Sequence, residues 1–299
     1  PHIVGITVPK SNVGTLKTWG WEFEISYRNK FKDLEYNVTF NLSDSDNKVT
    51  HYDGKNAISA GSVDILEGYP LNTIWGYKTD GLWQSREEYE AYKKAHPGYQ
   101  SFNDAKVSGG DVKYLAQGDG CHTVSAGGGT PDNPGDLVYL GSSNGRYMYG
   151  LNLGLKWRGF DFSIMFQGVA KRKVLIEASQ LAPFAGTADM PWTIHRDYWT
   201  EDNPNAYWPR LFSANTFNYN PSDRWVQDAS YIRLKNLSLG YTIPLKKFKI
   251  DQCRIYVNGN DLWEHTNMLK VFDPEVGNKP SANYYPFFRT WTIGLNITL

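Results

Sequence analysis

The chain has 299 residues, with Lys+Arg 31 against Asp+Glu 31 and so no net charge, which leaves no global basic field to draw nucleic acid. No run of about 18 apolar residues occurs, which excludes a transmembrane helix, but a transmembrane β-barrel stays open because its alternating strands give a weak hydropathy signal. Aromatic residues make up 15% at a mean hydropathy of -0.52, a combination that suits a sugar-binding surface or a membrane interface.

Pro1 opens the sequence with neither an initiator Met nor a signal-peptide pattern, so a processed product or a piece of something longer is expected. The first strand is expected over about 14–29. There Trp19, Trp21, Phe23, Ile25 and Tyr27 alternate with Thr18, Gly20, Glu22, Glu24, Ser26 and Arg28. A polar turn leads to a hairpin partner over 34–42, where Leu34, Tyr36, Val38, Phe40 and Leu42 interleave with polar residues. A long connection, 43–145, follows. Within it Ser85 and Glu88 form a capping-box pattern ahead of "EYEAYKKAHPG", predicting a short helix stopped at Pro97-Gly98.

Alternation returns over 146–158 and 160–168 across a tight reversal at Arg158-Gly159, and a second long connection spans 169–229. The stretch "ASYIRLKNLSLGYTIP" then predicts a strand over 230–243 with a change of phase. Ile232 and Leu234 are apolar at even positions, Leu237, Leu239, Tyr241 and Ile243 at odd ones. Such a slip needs an extra residue taken up as a β-bulge near the outer rim of the sheet. Strands over 252–262 and 287–299 flank a third long connection, 263–286. Each strand is near the ~9–11 residues that cross a bilayer when tilted. Long connections at one end and short turns at the other are the plan of an outer-membrane barrel. The expected fold is therefore all-β, an antiparallel transmembrane β-barrel portion with long extracellular loops.

One facing rule follows from the alternation. Phe23, Ile25, Val38, Leu153, Leu155, Ile164, Leu239, Ile293 and Leu295 share a lipid face. Glu22, Glu24, Asn37, Asn152, Gln167, Arg254 and Asn258 share a lumen face.

Chemical motifs are sparse. "GSSNG" at 141–145 fits a G-x-S-x-G elbow around Ser143, but it leads into an alternating strand where the elbow requires a helix. "SDSDNK" at 43–48 places Lys48 at a calcium-ligand position. The histidines never take a metal-ligand spacing, and Cys121 and Cys253 are expected to stay unbonded because the topology puts them at opposite ends of the sheet. No catalytic residue, metal or cofactor is expected. Aromatic loop residues carry more weight. Trp192, Trp199, Trp208 and Trp263 either build the loops' own core or contact a substrate or partner.

"EGYPLNTIWGYKTDGLWQS" (67–85), "WTEDNPNAYWPRL" (199–211), "ASYIRLKNLSLGYTIP" (229–244), "RIYVNGNDLW" (254–263) and "YPFFRTWTIGLNITL" (285–299) resemble, in order, the C-terminal part of the SusC/RagA-type TonB-linked outer-membrane transporters. The resemblance implies the last third of a plugged barrel of about 22 strands in the outer membrane of a Gram-negative bacterium, with the plug domain absent here. It implies import of an oligosaccharide or peptide, with a SusD-like lipoprotein as lid and a TonB complex acting through the missing N-terminal region. In "GDVKYLAQGDG" the usual acidic residues between Asp111 and Asp119 are replaced, leaving those two as weak metal candidates. Leu299 stands where an aromatic is the usual final residue. The competing readings are a soluble all-β carbohydrate-binding module or glycosidase domain, and a passive porin.

Overall fold

The computed structural model describes residues 12–176, 181–184, 190–213, 216–244, 251–277 and 287–298. Residues 245–250 of the short turn expected between the strands over 230–243 and 252–262, residues 278–286 of the third long connection and Leu299 lie outside the described residues. In chain order the elements are β1 (Gly14–Phe31), β2 (Leu34–Tyr52), β3 (Gly61–Val63), β4 (Thr73–Gly76), β5 (Thr79–Leu82), α1 (Arg86–Ala95), β6 (Val112–Tyr114), β7 (Val138–Ser142), β8 (Arg146–Trp157), β9 (Phe160–Lys171), β10 (Lys173–Leu175), β11 (Val226–Asp228), β12 (Tyr231–Pro244), β13 (Gln252–Thr266) and β14 (Thr290–Thr298). No described helix is long and apolar enough to cross a membrane, which says nothing of crossing by strands.

A seven-stranded antiparallel sheet in the order β1-β2-β8-β9-β12-β13-β14 dominates the structure. Its strands outrun the apolar alternation. β2 continues to Tyr52, ten residues past Leu42, still paired with β1 through Gly14↔Tyr52. The backbone ladder needs no apolar side chains, so the side-chain pattern marks only the stretch whose outer face must be apolar. The first long connection accordingly starts after Tyr52. The third starts after Thr266, which places Trp263 inside a strand.

Pairing carries the two faces across the whole sheet. One row reads Tyr27, Val38, Leu153, Ile164, Leu237, Gly259 and Trp291, and the adjacent row reads Ser26, Thr39, Asn152, Met165, Asn236, Asn260 and Thr290. Every residue assigned to the lipid face falls on rows of the first kind, and every one assigned to the lumen face on rows of the second. Phe23, Ile25, Leu155, Leu239, Ile293 and Leu295 are all more than 40% exposed, Ile293 reaching 78%, so no protein covers the apolar face there.

The phase slip is a bulge at Lys235. Between Leu234 and Asn236, β12 uses one more residue than β9, where the partners Phe166 and Met165 are consecutive. Leu234 therefore joins the apolar row Ile25, Phe40, Leu151, Phe166 and Trp263 in spite of its even number. β13 answers with its own irregularity, Asp261 adopting a φ of 51°. At the opposite end, Arg158 and Gly159 both take positive φ, as a two-residue hairpin turn with matching twist requires.

The first two long connections fold on themselves. Strands β3-β4-β7 form a small sheet, β5-β6 and β10-β11 form pairs, and between them lies a core of Trp83, Tyr89, Tyr99, Tyr114, Trp208, Tyr219 and Trp225. Burying each such ring contributes roughly 1.5–3 kcal/mol. Helix α1 starts at the expected cap, with Ser85 Oγ accepting from the Glu88 N–H at 3.2 Å. The Glu88 carboxylate accepts from the Gln84 N–H at 2.6 Å, one residue earlier than in a reciprocal capping box.

Candidate functional site

The polar face of the sheet is the first candidate surface. Asn236, brought there by the bulge, donates to Asn258 Oδ1 at 2.9 Å and Asn260 Oδ1 at 2.8 Å, and Asn260 donates to Thr290 Oγ1 at 3.2 Å. Farther along, Ser26 and Thr39 hydroxyls pair at 2.9 Å. These amides and hydroxyls offer donors and acceptors without net charge, suited to hydroxyl- or amide-bearing ligands.

Ion pairs bound this neutral zone on β12 and β13. Toward the short turns Arg254 grips Asp161 through two bonds of 2.8 and 2.5 Å. Toward the long connections the fully buried Arg233 meets Asp273 at 2.6 Å, Glu275 at 2.9 Å and Glu264 at 3.0 Å. Lys235, the bulge residue, bridges Asp261 and Glu275 at 2.7 and 3.1 Å. Arg172 donates to the carbonyls of Pro274 and Gly277 at 2.8 and 2.6 Å. Together they pin the connection after β13 to the sheet. Arg233 was missed by sequence reading because the partners that make its burial tolerable lie 31 to 42 residues away.

The tryptophan candidates part company. Trp208 is a core residue, 2% exposed, stacked on Trp225 at 5.6 Å and edge-on to His195 at 4.5 Å. It cannot meet a ligand without the loops opening. Trp192 and Trp199 are half-buried at the margin of the same core. Trp199 lies against Gly109 and Gly110, where a Cβ would come within 2.6 and 2.5 Å of its ring, and its indole N–H donates to Gln84 at 3.1 Å. Trp263 does not join them. It is 48% exposed on the apolar row beside Leu234, a position that suits a ring at a membrane–water interface.

Two histidines that sequence reading passed over organise these loops. His195 is buried, accepting the Trp192 N–H on Nδ1 at 2.8 Å, so Nε2 carries the proton and donates to the Leu181 carbonyl at 2.8 Å. Burial holds its pKa below the ordinary 6.5. His122 is half-exposed and bonds the buried Asp136 at 2.9 Å, which raises its pKa. Asp136 also accepts the N–H groups of Gln117 and Ser125 at 2.6 and 2.8 Å, fixing the loop where the acidic residues were replaced.

Asp111 is fully buried and taken up by Arg210 at 2.9 Å on both oxygens, by Asn218 and by the Ser108 N–H, so no lone pair is directed at an ion. Asp119 caps the Cys121 N–H at 2.9 Å. Among the described residues no cluster of His, Cys, Asp or Glu fits a metal. Ser143 is buried in the link from β7 to β8, two strands. Cys121 and Cys253 are both free thiols.

No family model matches the chain. The chain is 27% identical to TonB-dependent receptor P26 of Formosa agariphila over 99% of its own length and 31% of that protein's. It is 24% identical to TonB-dependent receptor SusC of Bacteroides thetaiotaomicron over 96% of its length and 27% of that protein's. Among solved structures it is similar to the RagAB peptide transporter, with a TM-score of 0.70 and 21% identity over 99% of this chain and 31% of that one. The RagAB peptide importer in the 'open-open' state gives 0.71 and 21% over 100% and 30%. The chain thus spans about a third of the length of the curated relatives it matches. The structural likeness shows the fold, an antiparallel barrel portion. The relatives carry receptor and transporter names, not enzyme names.

Proposed function

We propose, from the premise that this chain is similar to the C-terminal β-barrel portion of the SusC/RagA-type TonB-dependent receptors, that it forms part of the wall of an outer-membrane importer for a neutral polar oligomer, an oligosaccharide or a peptide. The carrying observation is the two-faced sheet. One face is apolar and uncovered along its rows, while the other presents the Asn236, Asn258, Asn260 and Thr290 ladder to whatever passes. An uncovered apolar face of that extent is stable against lipid tails and costly against water.

The resemblance supplies the remaining parts. A SusD-like lipoprotein closes the extracellular mouth, a TonB complex supplies energy through a region outside this chain, and the barrel resides in the outer membrane of a Gram-negative bacterium. Trp192 and Trp199, at the margin of the loop core, are the proposed contacts for substrate or lid, since half-buried rings offer a face at little entropic cost. Trp208 acts behind them as packing, and Trp263 anchors in the membrane interface.

Uptake of a labelled neutral oligosaccharide and of a labelled peptide by cells making the full-length receptor tests the reading. Outer-membrane partition, co-purification of a lipoprotein and uptake abolished by collapsing the proton-motive force are the expected results. Recovery of the full-length protein as a detergent-free monomer sinks the barrel reading, and uptake indifferent to the proton-motive force points to a passive porin.

A further inference from the structure

Burial changes along the polar face of the sheet. Met165, in the row that carries Asn236, is 37% exposed. Closer to the long connections, on the rows of Gln167 and Val169, the residues Arg233, Tyr231 and Val169 are 0%, 6% and 8% exposed. These rows belong to the same face, since the ladder joins Arg233 through Gln167, Gly150 and Asn41 to Glu24. Protein therefore covers the polar face at that end and leaves it open two rungs lower, roughly 7 Å away at about 3.3 Å per residue.

The cover is the first part of the connection after β13. Met268 and Phe272 sit in the loop core, 4% and 5% exposed, and the Phe272 ring lies 6.5 Å from that of Trp192. Asp273 then turns the chain. Its carboxylate accepts the Glu275 N–H at 2.8 Å, and its carbonyl accepts the Val276 N–H at 3.2 Å. The turn presents Asp273 and Glu275 together to Arg233, and Glu275 also to Lys235. Arg233 points from the polar face, so the turn that it grips lies on that side of the sheet. An unbroken strand would send Asn236 to the face opposite Arg233. The bulge at Lys235 keeps both on one side, with the turn held directly above the asparagines.

We propose that residues 268–277 form a strap folded into the barrel mouth, held down by Arg233 and Lys235, that narrows the way to the Asn236, Asn258 and Asn260 ladder and so admits slender unbranched chains over branched ones. The inference rests on the importer reading and adds to it a limit on the width of the transported oligomer. Charge-assisted bonds are strong and fix geometry, so the strap is a standing constriction that opens only when several of them break together.

The test uses the full-length receptor carrying Met165→Cys, labelled with N-ethylmaleimide or with a maleimide bearing a long polyethylene glycol chain. Mass spectrometry reads the modification of residue 165. The small reagent is expected to react readily and the bulky one at least about tenfold more slowly, because it must wait for local opening. Adding Asp273→Asn/Glu275→Gln should abolish that difference and speed amide exchange over 272–277, while the ratio at Ser26→Cys, on the same row but four strands away, stays as it was. Glu275→Gln alone leaves Arg233 with Asp273 and Glu264 and should give a smaller change in the same direction, which keeps the test open if the double variant fails to assemble. Equal labelling by both reagents before the strap is loosened, or unequal labelling that persists once its amides exchange fast, overturns the proposal. In cells the loosened receptor should take up a branched neutral oligosaccharide that the wild type takes up more slowly than a linear one. Wild-type cells that import neither defeat the importer reading, while the labelling still decides whether the strap constricts the mouth.

Discussion

The sheet and the folded loops use the same residues in opposite ways. On β1 and β14 the indoles of Trp19, Trp21 and Trp291 are 49%, 48% and 62% exposed, whereas Trp83, Trp208 and Trp225 in the loops are 0%, 2% and 1% exposed. Two solvents explain it. The loops fold against water, so their rings turn inward, while the sheet meets lipid on one side, so its rings turn outward and its polar groups inward. Aromatic content alone therefore cannot separate a ligand-binding surface from a membrane face or a core. The ladder position of each ring does.

The largest expected effect breaks the loop half of the comparison. Trp225→Ala removes a ring that stacks on both Trp208 and Tyr219 and should destabilise the loop core by about 3–5 kcal/mol. Amide hydrogen exchange should accelerate through the core segments around Trp83 and Tyr219 while the sheet stays protected. Loss of protection across both regions would show that they are one cooperative unit.

Next comes the sheet half. Leu239→Arg, on the lipid row, should cost about 2–4 kcal/mol of assembly if it lies near mid-bilayer. Ser238→Arg, its neighbour on the polar face, should cost little. Yield of heat-resistant folded barrel in the membrane measures both, and equal losses would erase the distinction between faces.

A smaller effect sharpens the loop picture. Ser85→Ala removes the cap of α1 and should cost about 1 kcal/mol, readable as faster exchange of the Glu87–Tyr89 amides.

The smallest effects are pH-dependent and of opposite sign. His195 is buried neutral with a lowered pKa, so its contribution is present above the ordinary 6.5 and lost as pH falls toward its folded value. His122 has a raised pKa from Asp136, so its contribution is present below 6.5 and lost as pH rises through the folded value. Loop melting followed from pH 5 to 8 should therefore lose its acid-side decline in His195→Gln and become less stable at acid pH in His122→Gln. Parallel shifts in the two variants would contradict the assigned hydrogen bonds.

The strands, their two faces, the bulge at Lys235 and the cap at Ser85 were legible in the amino-acid order, because period-two alternation, a phase slip and a capping box are properties of a few consecutive residues. Only tertiary structure decided that β2 runs on to Tyr52, that Trp208 is core while Trp263 lies on the apolar row of the sheet, and that Asp111 is held by Arg210. Each of those depends on a partner far along the chain: β1 for the polar end of β2, Trp225 for Trp208, and Arg210 at a separation of 99 residues for Asp111. Local spacing does not encode pairing at that range, and a ladder of backbone bonds leaves no mark on the side chains it passes.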